Sequence, residues 1–205
     1  MKKLLVAGLM IAVLSITAQA NAYVLVYNLF GNVQAVDTAA NDQVTQWLSG
    51  YIVLNVNDAD GIVDDSSVIL YGRQGRQNRF YTINDDIVSL TTYGNYAALI
   101  AGNGQGNVII LTGRLRSYNI GAATRQRAAT SLSGAMTMEY GQLFDTNELL
   151  TGGGTMRATL NRWLTRSANS SDTVFDDLVD SILSYLESRG YQQTEDQEVP
   201  PPLPN

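Results

Sequence analysis

From residue 23 to about residue 168 the chain alternates short apolar runs with clusters of Gly, Asn and Asp. The segments YVLVYNLF (23–30), LSGYIVLNV (48–56), SVILYG (67–72), RFYTI (79–83), IVSLTTYG (87–94), NVIILTGRLRSY (107–118), LSGAMTMEY (132–140) and GTMRATLNRWL (154–164) are rich in β-branched and aromatic residues. Such residues fit a pleated, half-buried surface, so these segments are predicted strands. Several have a period of two. Leu132, Met136, Met138 and Tyr140 fall on one side, with Ser133, Thr137 and Glu139 on the other. Met156, Ala158 and Leu160 oppose Arg157, Thr159 and Asn161 in the same way. This alternation predicts antiparallel strands with one wet face, because buried parallel strands are apolar on both sides. No helical pattern of useful length separates consecutive strands, which argues against βαβ units.

The period changes once, near the C-terminus. Val174, Phe175, Leu178, Val179, Ile182, Leu183 and Leu186 recur at three- and four-residue spacing, which predicts an amphipathic helix over about 173–189. Asp172 or Thr173 can cap its start, and Asp176 and Asp177 suit the positive end of the dipole. Gly190 is placed to take the left-handed position that ends a helix. The polar face is acidic, whereas membrane-surface helices are usually basic, so the expected partner is the protein's own sheet.

The triplet Leu-(Ser/Thr)-Gly occurs at 48–50, 111–113, 132–134 and 150–152. A shift of 84 places residues 48–50 on 132–134 and Val24-Leu25-Val26 on Val108-Ile109-Ile110. The expected fold class is therefore all-β, an antiparallel barrel or two-sheet sandwich, with two related β units as a candidate origin and one C-terminal amphipathic α-helix. Glycines within strand patterns suggest places where the sheet must bend. A membrane barrel fits poorly, for want of long apolar bands. GNGQGN (102–107) resembles a phosphate-binding loop, but a dinucleotide loop must open a helix, and VIILTGR continues as a strand. The stretch is better read as a hairpin connection, and as a seam between units ending near 101 and starting near 107.

Both ends add an expectation. Residues 1–22 combine Lys2 and Lys3, an apolar run from Leu4 to Ile16, and small-x-small sites at Ala18–Ala20 and Ala20–Ala22. That is the layout of a cleavable signal peptide, and the run is short for a membrane span. The expectation is export to the periplasm or beyond, with a single domain over 23–191. Residues 192–205 hold all four prolines and several acids, and are read as a disordered tail.

Composition then removes whole chemistries. Lys2 and Lys3 are the only lysines, and the chain has no His and no Cys. Ser-His-Asp catalysis, Schiff bases, thiol redox chemistry and disulfides are thereby excluded. Beyond the expected cleavage site, eleven arginines against nineteen acidic residues leave a net charge of −8. Such a surface repels nucleic acid, so none is expected as a partner.

What chemistry remains is sparse. NVNDADGIVDD (55–65) offers Asp58, Asp60 and Asp64 as weak candidate metal ligands, with calcium as the ion. The EF-hand template nonetheless fails at both anchoring ends, Val56 and Ser67, and an acidic turn is the simpler reading. Arg73, Arg76 and Arg79 could fork onto an anion, but more simply answer nearby acids. Arg114 and Arg116 share a wet strand face. Paired carboxylates at Asp58–Asp65, Asp85–Asp86 or Glu139 with Glu148 would permit a glycan hydrolase without supporting one. Trp47, Tyr93 and Tyr96 are read as loop-proximal aromatics, of a kind that can stack on sugars, although Tyr is also a favoured strand residue. No catalytic residue or cofactor is assigned. The leading expectation is a non-enzymatic exported protein that binds a small molecule, glycan or protein. The alternatives are a carboxylate-dependent hydrolase and a self-assembling surface component.

Overall fold

The computed structural model describes residues 22–37, 42–57, 63–74, 77–84, 87–93, 95–102, 108–120, 124–138, 150–168 and 173–193. In chain order the elements are β1 (Ala22–Asp37), β2 (Asp42–Asn57), β3 (Val63–Gln74), β4 (Gln77–Asn84), β5 (Ile87–Tyr93), β6 (Tyr96–Gly102) and β7 (Val108–Ile120). They continue with β8 (Thr124–Ala129), β9 (Ser131–Met138), β10 (Leu150–Leu160), β11 (Arg166–Ala168), α1 (Thr173–Ser188) and β12 (Gln192–Gln193). All eight predicted strands form, together with shorter ones at β6, β8, β11 and β12. Gln192 and Gln193, where the sequence suggests the tail begins, lie parallel beside Arg79 and Phe80 of β4. The proposed signal segment before Ala22 and the tail beyond Gln193 lie outside the described residues.

The strands form one curled half-barrel sheet, which decides between the two architectures in favour of a barrel-like one. Its order is β12-β4-β3-β2-β1-β10-β9-β7-β6-β5. β1 to β4 run as a simple meander; β5, β6, β7, β9 and β10 follow one another in the second series, with β8 off the path and paired with β7. The two series meet where β1 pairs antiparallel with β10, from Tyr27↔Leu160 to Asp37↔Leu150. The sheet is open between its end strands, β12 and β5. No break falls at the glycines after 102, because β6 and β7 pair on either side of them, with Gly102 opposite Val108.

The 84-residue echo survives as strand order and fails as register. Val24 pairs with Asn55 in the β1–β2 ladder, so an identical unit would pair Val108 with Glu139. Val108 pairs instead with Thr137, two residues short, and β8 intervenes between β7 and β9. The triplets have a local cause. In three of them the Leu (Leu48, Leu111, Leu132) is fully buried inside the curl, while Thr112 and Ser133 point to solvent. The Gly sits where a neighbouring strand comes too close for any side chain. A Cβ on Gly134 would collide with the Ile110 carbonyl, and one on Gly50 with the Ile69 carbonyl. Inward Leu, outward hydroxyl and absent side chain are therefore what a sharply coiled strand requires at this level.

Inside the curl, Tyr23, Leu25, Tyr27, Leu29, Ile52 and Leu54 join the inward residues of the facing strands in one continuous cluster. A second cluster lies outside the sheet, under α1. Val24, Val26, Val53, Ile69 and Phe80 point outward there and meet Phe175, Leu178, Ile182 and Leu186. The other three residues of the predicted stripe, Val174, Val179 and Leu183, pack at its margin. This explains why YVLVY is apolar at every position: both faces of that part of β1 are covered. The helix ends as its sequence predicts. Gly190 has a φ of 81°, the Tyr191 amide donates to the Leu186 carbonyl at 3.1 Å, and the Gly190 amide donates to that of Glu187 at 2.8 Å. These are the two bonds of a Schellman motif.

β1 changes partner midway, pairing with β10 and then with β11, and at the crossing the Val26 amide donates to the Thr165 hydroxyl at 3.1 Å. The Val26 carbonyl accepts from the Asn161 amide at 2.7 Å, so neither backbone group of this buried residue is orphaned. The Asn161 Oδ1 accepts from the amides of Trp163 and Leu164, fixing the turn that makes the crossing.

Candidate ligand groove on the outer sheet face

The helix covers only part of the outer face. Beyond its reach β1 continues with Asn28, Phe30 and Asn32 pointing to solvent. Phe30 is 55% exposed and Trp47, on β2, is 60% exposed. Their rings stack with centroids 5.6 Å apart and planes at 22°. The register builds the rest of the site beside them. One cross-strand row runs Trp47, Asn32, Thr155, Ala135, Ile110, Ile100. The next runs Ser49, Phe30, Arg157, Ser133, Thr112.

These rows border an open groove of about 570 Å³, within the size range of small-ligand sites. Phe30 and Trp47 form one wall, and Asn32, Thr155, Ser133 and Arg157 supply the polar groups. Gly31 and Gly134 complete the lining. The Thr155 hydroxyl donates to the Asn32 side-chain oxygen at 3.1 Å, which fixes that pair. Arg157 is exposed and, among the described residues, is the one charged residue in the lining and has no hydrogen-bond or ion-pair partner. No Asp or Glu among the described residues lines the groove.

The other sequence candidates do not gather. Asp58 and Asp60 lie outside the described residues, and Asp64 is the second residue of β3. No group of three potential metal ligands occurs among the described residues. At that end of the hairpin the Asn55 amide lies 3.5 Å from the Asp65 carboxylate, next to a bulge, and the Asn55 oxygen is buried without a partner. Asp85, Asp86, Glu139, Glu148 and Arg76 also lie outside the described residues. Arg73 and Arg79 stand on the β3–β4 hairpin, both with interaction partners. Arg114 is exposed on β7 opposite Tyr96, and Arg116 follows it on the same strand.

Of the three aromatics singled out from the sequence, Trp47 belongs to the groove and lies within a strand, not near a loop. Tyr93 and Tyr96 face each other across the β5–β6 turn, and Tyr93 is 86% exposed. Phe30 and Arg157 were missed as site residues. The available signal was parity: Phe30 is a large aromatic at a position whose neighbours in the alternation, Asn28 and Asn32, are polar. Trp163, 92% exposed at the tip of the crossing turn, had no such signal.

Two tyrosines titrate abnormally, both away from the groove. Burial pushes the Tyr71 hydroxyl up to about 12, helped by neighbouring Tyr51. Burial, with Tyr23 nearby, raises that of Tyr27 further. These are structural hydroxyls kept neutral by desolvation.

No helix among the described residues is long and apolar enough to cross a membrane. Searches of protein-family models, of curated proteins and of solved structures found no match to this chain.

Proposed function

We propose that this chain is an exported, non-enzymatic β-protein that binds a ligand in the groove beside Phe30 and Trp47. The observation that carries this reading is the stacked, half-exposed pair of rings on a sheet face otherwise ruled by polar side chains. Exposing two large rings has a hydrophobic cost of roughly 1.5–3 kcal/mol for each side chain that could otherwise be buried. Rings of this kind stack on the apolar faces of sugars and other flat ligands. Among the described residues the groove is lined by no Asp or Glu, and glycoside hydrolysis ordinarily needs two, which supports binding as the simpler reading. Export rests on the layout of residues 1–22 and is checked by the mass of the secreted chain, which should start near Asn21 or Tyr23.

Intrinsic fluorescence tests the reading directly, because Trp47 and Trp163 are the only tryptophans. Saturable quenching by a glycan panel is expected for the native chain and for Trp163→Ala. Its persistence in Trp47→Ala would reject the site. A second reading, structural self-association, is favoured by β5, which ends the sheet order with β6 as its one ladder partner among the described residues. Unpaired edges template strand addition. A strict monomer at high concentration would reject it.

A further inference from the structure

We infer that the groove selects an anionic sugar, with the ring seated on Phe30 and Trp47 and its carboxylate on Arg157. This rests on the groove being the binding site, and adds the class of ligand. Three observations carry it. Arg157 sits directly opposite Phe30 in the ladder, so the guanidinium and the ring project from the same face one strand apart. Facing pairs of this kind have Cβ atoms about 4.5–5.5 Å apart, so a single pyranose can touch both. Among the described residues the guanidinium has no partner, and no acid lines the groove to compete for it. In a chain this acidic, an unanswered arginine beside an exposed aromatic wall is a local reversal of sign.

The chemistry then assigns the parts. A guanidinium fork matches a carboxylate through two parallel hydrogen bonds and distinguishes it from a neutral hydroxymethyl group. Ser133 stands opposite Arg157 on the other side, and the Asn32–Thr155 pair lies one row away, giving hydroxyl and amide groups for the ring hydroxyls. A uronate within a polysaccharide satisfies all of these at once: flat apolar face, equatorial hydroxyls and one carboxylate.

The test is a titration of the purified exported protein, followed by tryptophan fluorescence and calorimetry. The probes are an oligouronate, its carboxyl-reduced neutral counterpart, and a sulfated neutral oligosaccharide of equal length. The oligouronate should bind at least about tenfold more tightly than the neutral counterpart, the scale of a hydrogen bond to a charged group. Its affinity should fall as salt is raised. Arg157→Gln should bring the oligouronate down to the neutral level while leaving the thermal midpoint unchanged, and Arg157→Lys should restore part of the difference. Equal binding of charged and neutral probes that is unaffected by Arg157→Gln, but lost in Trp47→Ala, overturns the anionic assignment and leaves the groove standing. Preference for the sulfated probe overturns the carboxylate assignment. Binding of no probe, or binding indifferent to both substitutions, overturns the groove reading itself.

Discussion

The outer face of β1 divides into two regions that obey the same alternation and end differently. Val24 and Val26 point outward under α1 and are fully buried. Phe30, two positions further along the same face, points outward into solvent. Both regions carry large apolar side chains, so the presence of such residues alone does not decide which is covered. The helix is 16 residues long, spans about 24 Å at 1.5 Å per residue, and is directed onto β1–β4 by its own stripe. The difference teaches that the chain supplies a cover for one apolar patch and leaves the other open. The first should matter for stability and the second for recognition.

Substitutions sharpen this contrast, beginning with the covered region. Phe80→Ala removes a fully buried ring from between sheet and helix and is expected to cost about 3–5 kcal/mol, read as a lower denaturant midpoint. Gly134→Ala probes the coil that shapes both regions. Its new methyl meets the Ile110 backbone, so a strand must shift, at an expected cost of about 1–3 kcal/mol or more. Gly190→Ala, at positive φ, should cost about 1 kcal/mol through the helix end alone, with helix content by circular dichroism reduced only near the transition.

A gentler effect is expected from pH. Tyr71 lies under the helix with its hydroxyl raised to about 12, against about 10 in the unfolded chain. Its contribution is complete below pH 10. Above that the unfolded state loses protons first, so stability falls through the window from 10 to 12. Tyr71→Phe should flatten that part of the thermal-midpoint profile and leave the profile below pH 9 unchanged. The smallest stability effect belongs to the open region: Trp47→Ala should move the thermal midpoint by no more than that of an ordinary surface change, within about 0.5 kcal/mol, while abolishing binding. A large loss of stability there would erase the distinction between the two regions.

Much of this division could be read from the residues. The seven apolar helix positions named in advance all pack against the sheet, and Gly190 ends the helix as expected. Alternation assigned Met156 and Ala158 to the interior and Arg157 to solvent. What stayed hidden is long-range. Nothing local says that β1 pairs with β10, because that ladder joins residues more than a hundred positions apart. The groove depends on that pairing, since Phe30 and Trp47 come from one hairpin and Arg157 from β10. The Leu-(Ser/Thr)-Gly triplets suggested a duplication because shared geometry and shared ancestry leave the same trace over three residues. Only the register separated them.

The β1–β10 ladder also dictates an order of events. β1 is 16 residues of largely apolar strand, and its second neighbour is among the last strands to leave the ribosome. Until β10 arrives, one side of β1 presents open amides and carbonyls to whatever is near, with the hazard of mispairing that such edges carry. Closing a loop of this length is slow compared with hairpin formation. Meander β1–β4 can therefore form early, but the two halves of the curled sheet can be joined only after β10 has been made.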